Sequence, residues 1–372
     1  MKAVIVSSFD TYLERIELLK EYYESIGYKT IIIMSNFKHI KKEFIKIEKQ
    51  GYIYIDTKPY YKNLSIQRLY SHYNFAKNAF CEIKCLKPDL LHVLIPANSL
   101  AKEAGIYKKN HPNVRLILDL IDLWPETMPI GKLKNIFPFT IWKNIRDKYL
   151  SNADIVFTEC NLYRKILNKE NDLHFKTLYW AKKDEGIFSA PNLNQNEIHL
   201  CYLGSINNII DINSIIEICK NINKIRPVIL EIIGSGEKKE LLIENAKKNL
   251  IHIIDHGVIY NKSKKQEIFD RCHFGLNIYK NSVCIGLTMK SLDYFQAGLP
   301  IINNIKGDTW DLIKNMKAGI NSTNNFEDIK EEYLSNEYNL ALRNNSLTLS
   351  NKYFSKNSFF LTIANINKKN LN

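Results

Sequence analysis

The feature that most limits how this chain can fold is a repeated alternation. A short run rich in β-branched and apolar residues is followed by a helical stretch, then by another such run. Lys2–Val6 reads as a buried strand. Thr11–Ile26 reads as a helix because Ile16, Leu19, Tyr23 and Ile26 recur at helical spacing on one face. Gly27 ends it, and Lys29–Ile33 makes the next strand. Further strands are expected at Tyr52–Ile55, Leu90–Leu94, Val114–Leu118 and Asp154–Phe157. A long helix is expected at Ile66–Cys85, with Pro88 and Asp89 turning the chain into its strand. A second series starts near residue 197, with strands at Ile198–Leu203, Val228–Ile233, Ile251–Ile254, Gly275–Ile278 and Ile301–Asn303. Strands that alternate with helices pair in parallel, with the helices covering the faces of the sheet.

A chain of 372 residues with 45% hydrophobic content is too long for one ordinary core. The pattern divides it into residues 1–185 and 186–352, each a doubly wound α/β domain, plus a helical tail at 353–372 that packs back on the first. Asp184–Glu197, with Gly186, Pro191 and four Asn or Gln, reads as the linker. The expected class is α/β: two Rossmann-like domains facing a central cleft. Ligands of such sheets bind beyond the C-terminal ends of the strands, an arrangement that suits two substrates brought together.

Net charge is +13 and uneven: residues 1–180 carry 28 Lys and Arg against 19 Asp and Glu. A basic surface attracts phosphates, nucleic acid or anionic lipid, although a Lys-rich solvated surface explains the same excess. No nucleic-acid recognition motif accompanies it. The seven cysteines form no C-x-x-C pair, and no histidines cluster with them. Neither a zinc site nor a disulfide framework is expected. Met1–Val6 runs straight into a strand, which leaves no room for a signal peptide, and no apolar run reaches the roughly 18 residues of a membrane span. A cytoplasmic location is expected.

The most informative segment is Val283–Asn304, VCIGLTMKSLDYFQAGLPIINN. It reads as a loop, a helix from about Leu287, a stop at Gly298 and a strand after Pro300. A helix N-terminus offers free N–H groups and positive potential, suited to a diphosphate. Lys290 would neutralise charge growing on that group, and Asp293, three residues on, would accept from ribose hydroxyls. The competing reading is an ordinary amphipathic helix with a surface Lys–Asp pair.

This segment resembles the donor signature of glycosyltransferase family four, whose members have the GT-B fold. Asp293, Ala297, Gly298 and Pro300 match its acidic residue and A-x-G-x-P turn, and Thr288-Met289-Lys290 resembles its P-S-K loop variant. The family's earlier acidic residue falls on Ile285, which moves weight onto backbone groups around Gly286, Leu287 and Thr288. Leu203-Gly204-Ser205-Ile206 resembles the family's glycine loop, without its Arg. Gly234-Ser235-Gly236-Glu237 resembles its G-x-G turn, which by itself is a weak signal. Gly257–Tyr260 resembles the base-contacting loop, where main-chain groups of Val258 and Ile259 would read the base edge and Tyr260 would form a wall.

In the first half, Leu118–Pro129 reads LDLIDLWPETMP and resembles the D-L-W-P-E segment of bacterial family-four enzymes that build surface polysaccharides. Three carboxylates in an apolar run are costly without a use. Asp122 and Glu126 are therefore catalytic candidates beside Lys290, and Asp119 is an acceptor-binding candidate. Ser7–Asp10 lies in the loop after the first strand, where such loops line the cleft, so Asp10 and Arg15 are candidates to touch acceptor or donor; the competing reading is a helix N-cap at Asp10 or Thr11. The alternative makes Asp122 a helix N-cap and Trp124 core. His92 reads as a buried structural histidine. Ile130–Leu150 mixes Ile136, Phe137, Phe139, Ile141 and Trp142 with five basic residues, a composition suited to an anionic bilayer surface.

The resemblance implies transfer of a hexose or hexosamine from a nucleotide-sugar donor, most simply a UDP-sugar. The acceptor would be a saccharide or a polyprenyl-diphosphate-linked saccharide of capsule or O-antigen, at the inner face of the cytoplasmic membrane. Configuration would be retained, with no cofactor and no metal, the nucleotide-sugar being substrate. A UDP-sugar 2-epimerase-like enzyme and a non-catalytic scaffold with a decayed donor site are the other readings.

Overall fold

The computed structural model describes residues 1–46, 49–183, 191–322 and 329–369. The chain forms two compact units, residues 1–183 with 359–372, and residues 184–358. The first part of the expected linker, 184–190, lies outside the described residues.

The first unit runs β1 (Lys2–Ser7), α1 (Leu13–Ser25), β2 (Lys29–Ser35), a hairpin of β3 (Phe37–Lys38) and β4 (Glu43–Phe44), then β5 (Tyr52–Ile55) and α2 (Ile66–Leu86). It continues with β6 (Leu90–Ile95), α3 (Asn98–Asn110), β7 (Arg115–Leu120), α4 (Phe139–Leu150), β8 (Ile155–Thr158), α5 (Asn161–Ile166) and β9 (Phe175–Thr177). Seven parallel strands lie in the order β5-β2-β1-β6-β7-β8-β9. Chain order reverses between β1 and β6, which makes the C-terminal end of that pair the switch point of the sheet. The strands read as continuous apolar runs because helices cover both faces; Ala3, Val4, Ile5 and Val6 are all fully buried.

The second unit repeats the plan: β10 (Ile198–Leu203), α6 (Ile212–Asn223), β11 (Val228–Ile233), α7 (Lys239–Lys248), β12 (His252–Asp255), α8 (Lys262–Arg271), β13 (Phe274–Asn277), α9 (Met289–Gln296), β14 (Ile301–Asn303), α10 (Asp308–Met316), β15 (Gly319–Asn321) and α11 (Asn336–Tyr353). Its parallel order is β12-β11-β10-β13-β14-β15, with the switch between β10 and β13. The two parallel doubly wound sheets of the expected α/β class are thus present. The last helix, α12 (Lys356–Lys369), carries Phe359 under the Arg15 guanidinium, 5.3 Å from ring centroid, and Phe360 against Tyr22, 5.4 Å between rings.

Local differences have plain causes. The expected Thr11–Ile26 helix opens as a 3-10 turn over Asp10–Tyr12 before α1 begins, and α1 has no side-chain cap. α9 begins at Met289, because Thr288 caps it by accepting the Ser291 N–H at 3.2 Å. β9 and β15, three residues each, are too short to show a period of two.

Candidate functional site

In the second unit, the loops that follow β10, β11 and β12 are laced together by their backbones. Gly204 N–H donates to Ile233 O at 2.8 Å, Gly234 N–H to Gly257 O at 2.7 Å, and Ile206 N–H to Ser235 O at 2.9 Å. The chains lie so close that a Cβ on Gly234 would sit 2.0 Å from Gly204 O, and one on Gly236 would sit 2.3 Å from Ile206 O. Both glycines also have positive φ, +152° and +144°. The G-x-G pattern therefore has a packing reason in this chain. It leaves the side chains of Ser205 and Ser235 exposed.

α9 is fixed onto the switch point from below. The Tyr294 hydroxyl accepts the Leu203 N–H at 2.7 Å and donates to Cys201 O at 3.0 Å, and its ring lies against Gly275. The Thr288 hydroxyl donates to Asn277 Oδ1 at 2.9 Å, tying the helix start to the end of β13. Gly286 O accepts both the N–H and the hydroxyl of Thr309, each at 2.9 Å. These bonds hold Gly286, Leu287 and Thr288 buried, while Met289 is exposed.

Lys290 is the unusual member. Its side chain is 9% exposed, packs beside Gly204, and puts Nζ 4.0 Å from the ring centroid of Tyr202 and 4.9 Å from that of Tyr279. Among the described residues this nitrogen has no hydrogen-bond partner. Burial pushes its pKa down to about 7. The expected alternative of a surface Lys–Asp pair does not occur: Lys290 is buried, and Asp293 is half-buried on the next turn. A buried ammonium framed by two aromatic faces lacks an anion, and a diphosphate at the adjacent helix start would supply one. Tyr202 and Tyr279 were not singled out from sequence; a Tyr closing an apolar strand gives no signal of what its ring faces. In the loop after β12, Ile259 is half-buried and Tyr260 is 89% exposed.

In the first unit, the carboxylates of the LDLIDLWPETMP segment part company. Asp119 is fully buried and takes Arg15 in a two-pronged pair, Nε to Oδ2 at 2.7 Å and Nη2 to Oδ1 at 2.9 Å. Arg15, 1% exposed, spends further donors on Leu178 O and Tyr179 O. His92 Nε2 lies 3.2 Å from Asp119 Oδ2, and its Nδ1 2.7 Å from the Tyr23 hydroxyl. Burial raises the Asp119 carboxyl, but Arg15 and His92 outweigh it and hold the group below its usual range. The expectation that Arg15 and Asp119 touch an acceptor is therefore corrected: both are sealed in the sheet's interior with internal partners. His92 is structural, as read.

Glu126, half-buried, is engaged as a clamp. It receives Arg146 at 2.9 and 2.8 Å and lies 3.3 Å from Lys143, while Arg146 also donates to Trp124 O. Burial opposes ionisation of Glu126, but Arg146 prevails and lowers its pKa. The pair pins the loop after β7 to α4. Asp10 accepts the His39 N–H at 2.9 Å and caps no helix.

Asp122 is half-buried and, unlike Asp119 and Glu126, is in no ion pair among the described residues. Oδ2 accepts the Tyr12 hydroxyl at 2.7 Å, and burial holds its carboxyl above the usual range. It caps no helix, so that alternative is not realised. Phe9, Trp124, Arg68 and His72 lie at the same edge, all beyond the C-terminal ends of strands or on the first turns of α2. A separate cavity of about 570 Å³, lined by Lys143, Asp147, Leu167, Lys169 and His174 among others, opens at the opposite, N-terminal edge of this sheet and holds none of these groups.

No family model matches the chain, and no curated protein matches it in sequence. Solved structures do match in fold. Sucrose-phosphate synthase from Thermosynechococcus elongatus aligns with TM-score 0.69 and 10% identity, over 100% of this chain and 99% of that one. The lipopolysaccharide outer core galactosyltransferase WaaB, in its apo form, gives 0.68 and 12% over 100% of both. Anabaena HepE in complex with UDP gives 0.69 and 11%, over 99% of this chain and all of that one. The chain shares its twin-sheet α/β fold with these proteins.

Proposed function

We propose that this chain is a glycosyltransferase that takes a sugar from a UDP-sugar and passes it to an acceptor hydroxyl. The observation that carries the reading is Lys290, a buried ammonium without a partner among the described residues, at the N-terminus of α9 and beside the glycine loop at the sheet's switch point. The diphosphate would lie against Lys290 and the amides of 286–290, with the loops at 204–205 and 234–235 alongside. Asp293 would receive ribose hydroxyls and Ile259 would border the base. As the bond from anomeric carbon to diphosphate oxygen breaks, negative charge grows on the leaving group, and Lys290 stabilises it where it appears. Asp122 would accept the hydrogen bond of the incoming hydroxyl. HepE was solved with UDP and with UDP-glucose, which supports a uridine nucleotide.

The finer reading is a retaining enzyme acting on a lipid-linked saccharide of capsule or O-antigen. What supports docking at an anionic bilayer is the surface of 130–150, where Leu133, Ile136, Phe137 and Ile141 are 51%, 53%, 75% and 50% exposed among lysines. Among the described residues no helix is long and apolar enough to cross a membrane. Phe137→Ser with Ile141→Ser should release the protein from anionic vesicles; equal cosedimentation of variant and wild type would remove this surface from the account.

A thermal-shift screen across nucleotide sugars tests the main reading. One UDP-sugar should stabilise the wild type, Lys290→Ala should lose that response, and transfer should require an added acceptor. A folded protein that no nucleotide sugar stabilises would refute the reading, and interconversion of UDP-sugars without an acceptor would replace it with an epimerase.

A further inference from the structure

We infer that the first unit holds a second anion site, built on Arg68 of α2, and that the acceptor of the proposed transferase is bound there through a phosphate group. The word acceptor rests on the functional reading above; the anion site rests on the geometry of the first unit alone.

Arg68 is only 5% exposed and is held on several sides. Nη1 donates to Asn63 O at 2.7 Å, and the guanidinium lies 4.4 Å from the ring centroid of Trp124, with Phe9 and Tyr60 at 5.7 and 5.8 Å. Nε and Nη2, in contrast, have no hydrogen-bond partner of good geometry among the described residues, although the Tyr60 hydroxyl and, without direct contact, the Asp122 carboxylate act on the guanidinium. Those two nitrogens share one edge of the guanidinium, and that edge is the fork that grips two oxygens of one anion. Stacking fixes the orientation of the fork before any ligand arrives.

His72 follows one helical turn later, 4% exposed, with neither ring nitrogen partnered among the described residues and its ring 6.4 Å from that of Trp124. Burial, and then the charge of Arg68, keep it neutral, so one nitrogen donates and the other accepts. Lys42 stands 4.4 Å from the Tyr60 ring and donates to Asn63 Oδ1 at 2.7 Å. His39 completes the group through the Tyr60 hydroxyl at 2.6 Å. The cluster is rich in donors and short of acceptors, and Asp122 beside it is engaged by Tyr12. Burying a charged donor without an acceptor is costly, and a bound anion removes that cost. A carboxylate would fill the fork and leave His72 idle. A phosphate brings at least three acceptor oxygens, enough for the fork and for His72 or Lys42 together.

The phosphate could be that of a soluble sugar phosphate or of a lipid-borne saccharide, and the test separates them. The full chain is first saturated with UDP so that the donor site is filled. Glucose 6-phosphate is then titrated calorimetrically, and cosedimentation is measured with phosphatidylcholine vesicles with and without a polyprenyl phosphate. Wild type should bind one of the two probes. Arg68→Gln should weaken that binding roughly 10- to 100-fold, with Arg68→Lys intermediate because it keeps charge but loses the fork. UDP binding should be the same in all three proteins, which shows that each is folded. Equal phosphate binding by Arg68→Gln and wild type, or binding of neither probe while UDP still binds, overturns the inference and leaves the donor reading standing. Failure of wild type to bind UDP, with an Arg68-dependent phosphate site intact, overturns the donor reading and the acceptor assignment but keeps the anion site.

Discussion

Replacing Lys290 with Met should make the ligand-free protein more stable and at the same time abolish its response to UDP. The pKa of Lys290 falls from 10.5 to about 7 through burial. At about 1.36 kcal/mol per unit that difference is a penalty of roughly 5 kcal/mol when both folded and unfolded states carry the proton. The sign follows from proton counts. Below about pH 7 the side chain is charged in both states, and the whole penalty falls on the folded protein. Between pH 7 and 10.5 the unfolded chain binds more protons, so stability rises with pH, and above 10.5 the penalty is gone. Met keeps the length of the stem, fits between the Tyr202 and Tyr279 rings, and carries no charge. Even half of the penalty recovered, about 2.5 kcal/mol, should raise Tm by about 5 to 10 °C for a unit of this size. Differential scanning fluorimetry at pH 6.5 and pH 9.5 reads it: the gap between variant and wild type should be large at the lower pH and shrink at the higher one. UDP should raise the wild-type Tm and leave the variant unmoved. A variant no more stable than wild type at pH 6.5, or equally stabilised by UDP, would refute the argument that this ammonium is held in reserve for a diphosphate.

Gly234→Ala should be strongly destabilising, by about 3 kcal/mol or more, because its Cβ would overlap Gly204 O in a strained backbone; a urea titration checks it, and UDP affinity should fall with it. Asp122→Asn should cut turnover while leaving the UDP-dependent thermal shift unchanged; wild-type turnover would remove Asp122 from the mechanism. Glu126→Gln should cost about 1–3 kcal/mol, because Arg146 loses one charged partner but keeps the other, Asp147 at 2.7 Å. Activity in that variant should track the fraction folded, and a loss of turnover at full stability would return Glu126 to the catalytic set.

Much of the fold was legible because a parallel doubly wound sheet writes itself as apolar runs broken by helical periods. Tyr52–Ile55, Ile198–Leu203, Val228–Ile233 and Ile301–Asn303 form strands with the expected bounds. The helix that carries Lys290 was legible to within about two residues: it was expected from about Leu287 and begins at Met289, with the expected stop, Gly298, just past its end. The fates of Asp119, Asp122 and Glu126 were not. Their spacing is the same whether they meet a ligand or a buried arginine, and the partners that decide, Arg15 and Arg146, lie 104 and 20 residues away.

The sequence by itself determined which stretches become strands and helices, and that two such series follow one another, because those choices depend on neighbours a few residues apart. Tertiary structure alone decided which charges are spent inside the protein and which are left waiting. Asp119 and Glu126 are neutralised by long-range partners, while Lys290 Nζ and the Nε and Nη2 of Arg68 are buried among aromatic rings with no hydrogen-bond partner among the described residues. Burial and pairing belong to the assembled sheet and its loops, and no local pattern along the chain encodes them.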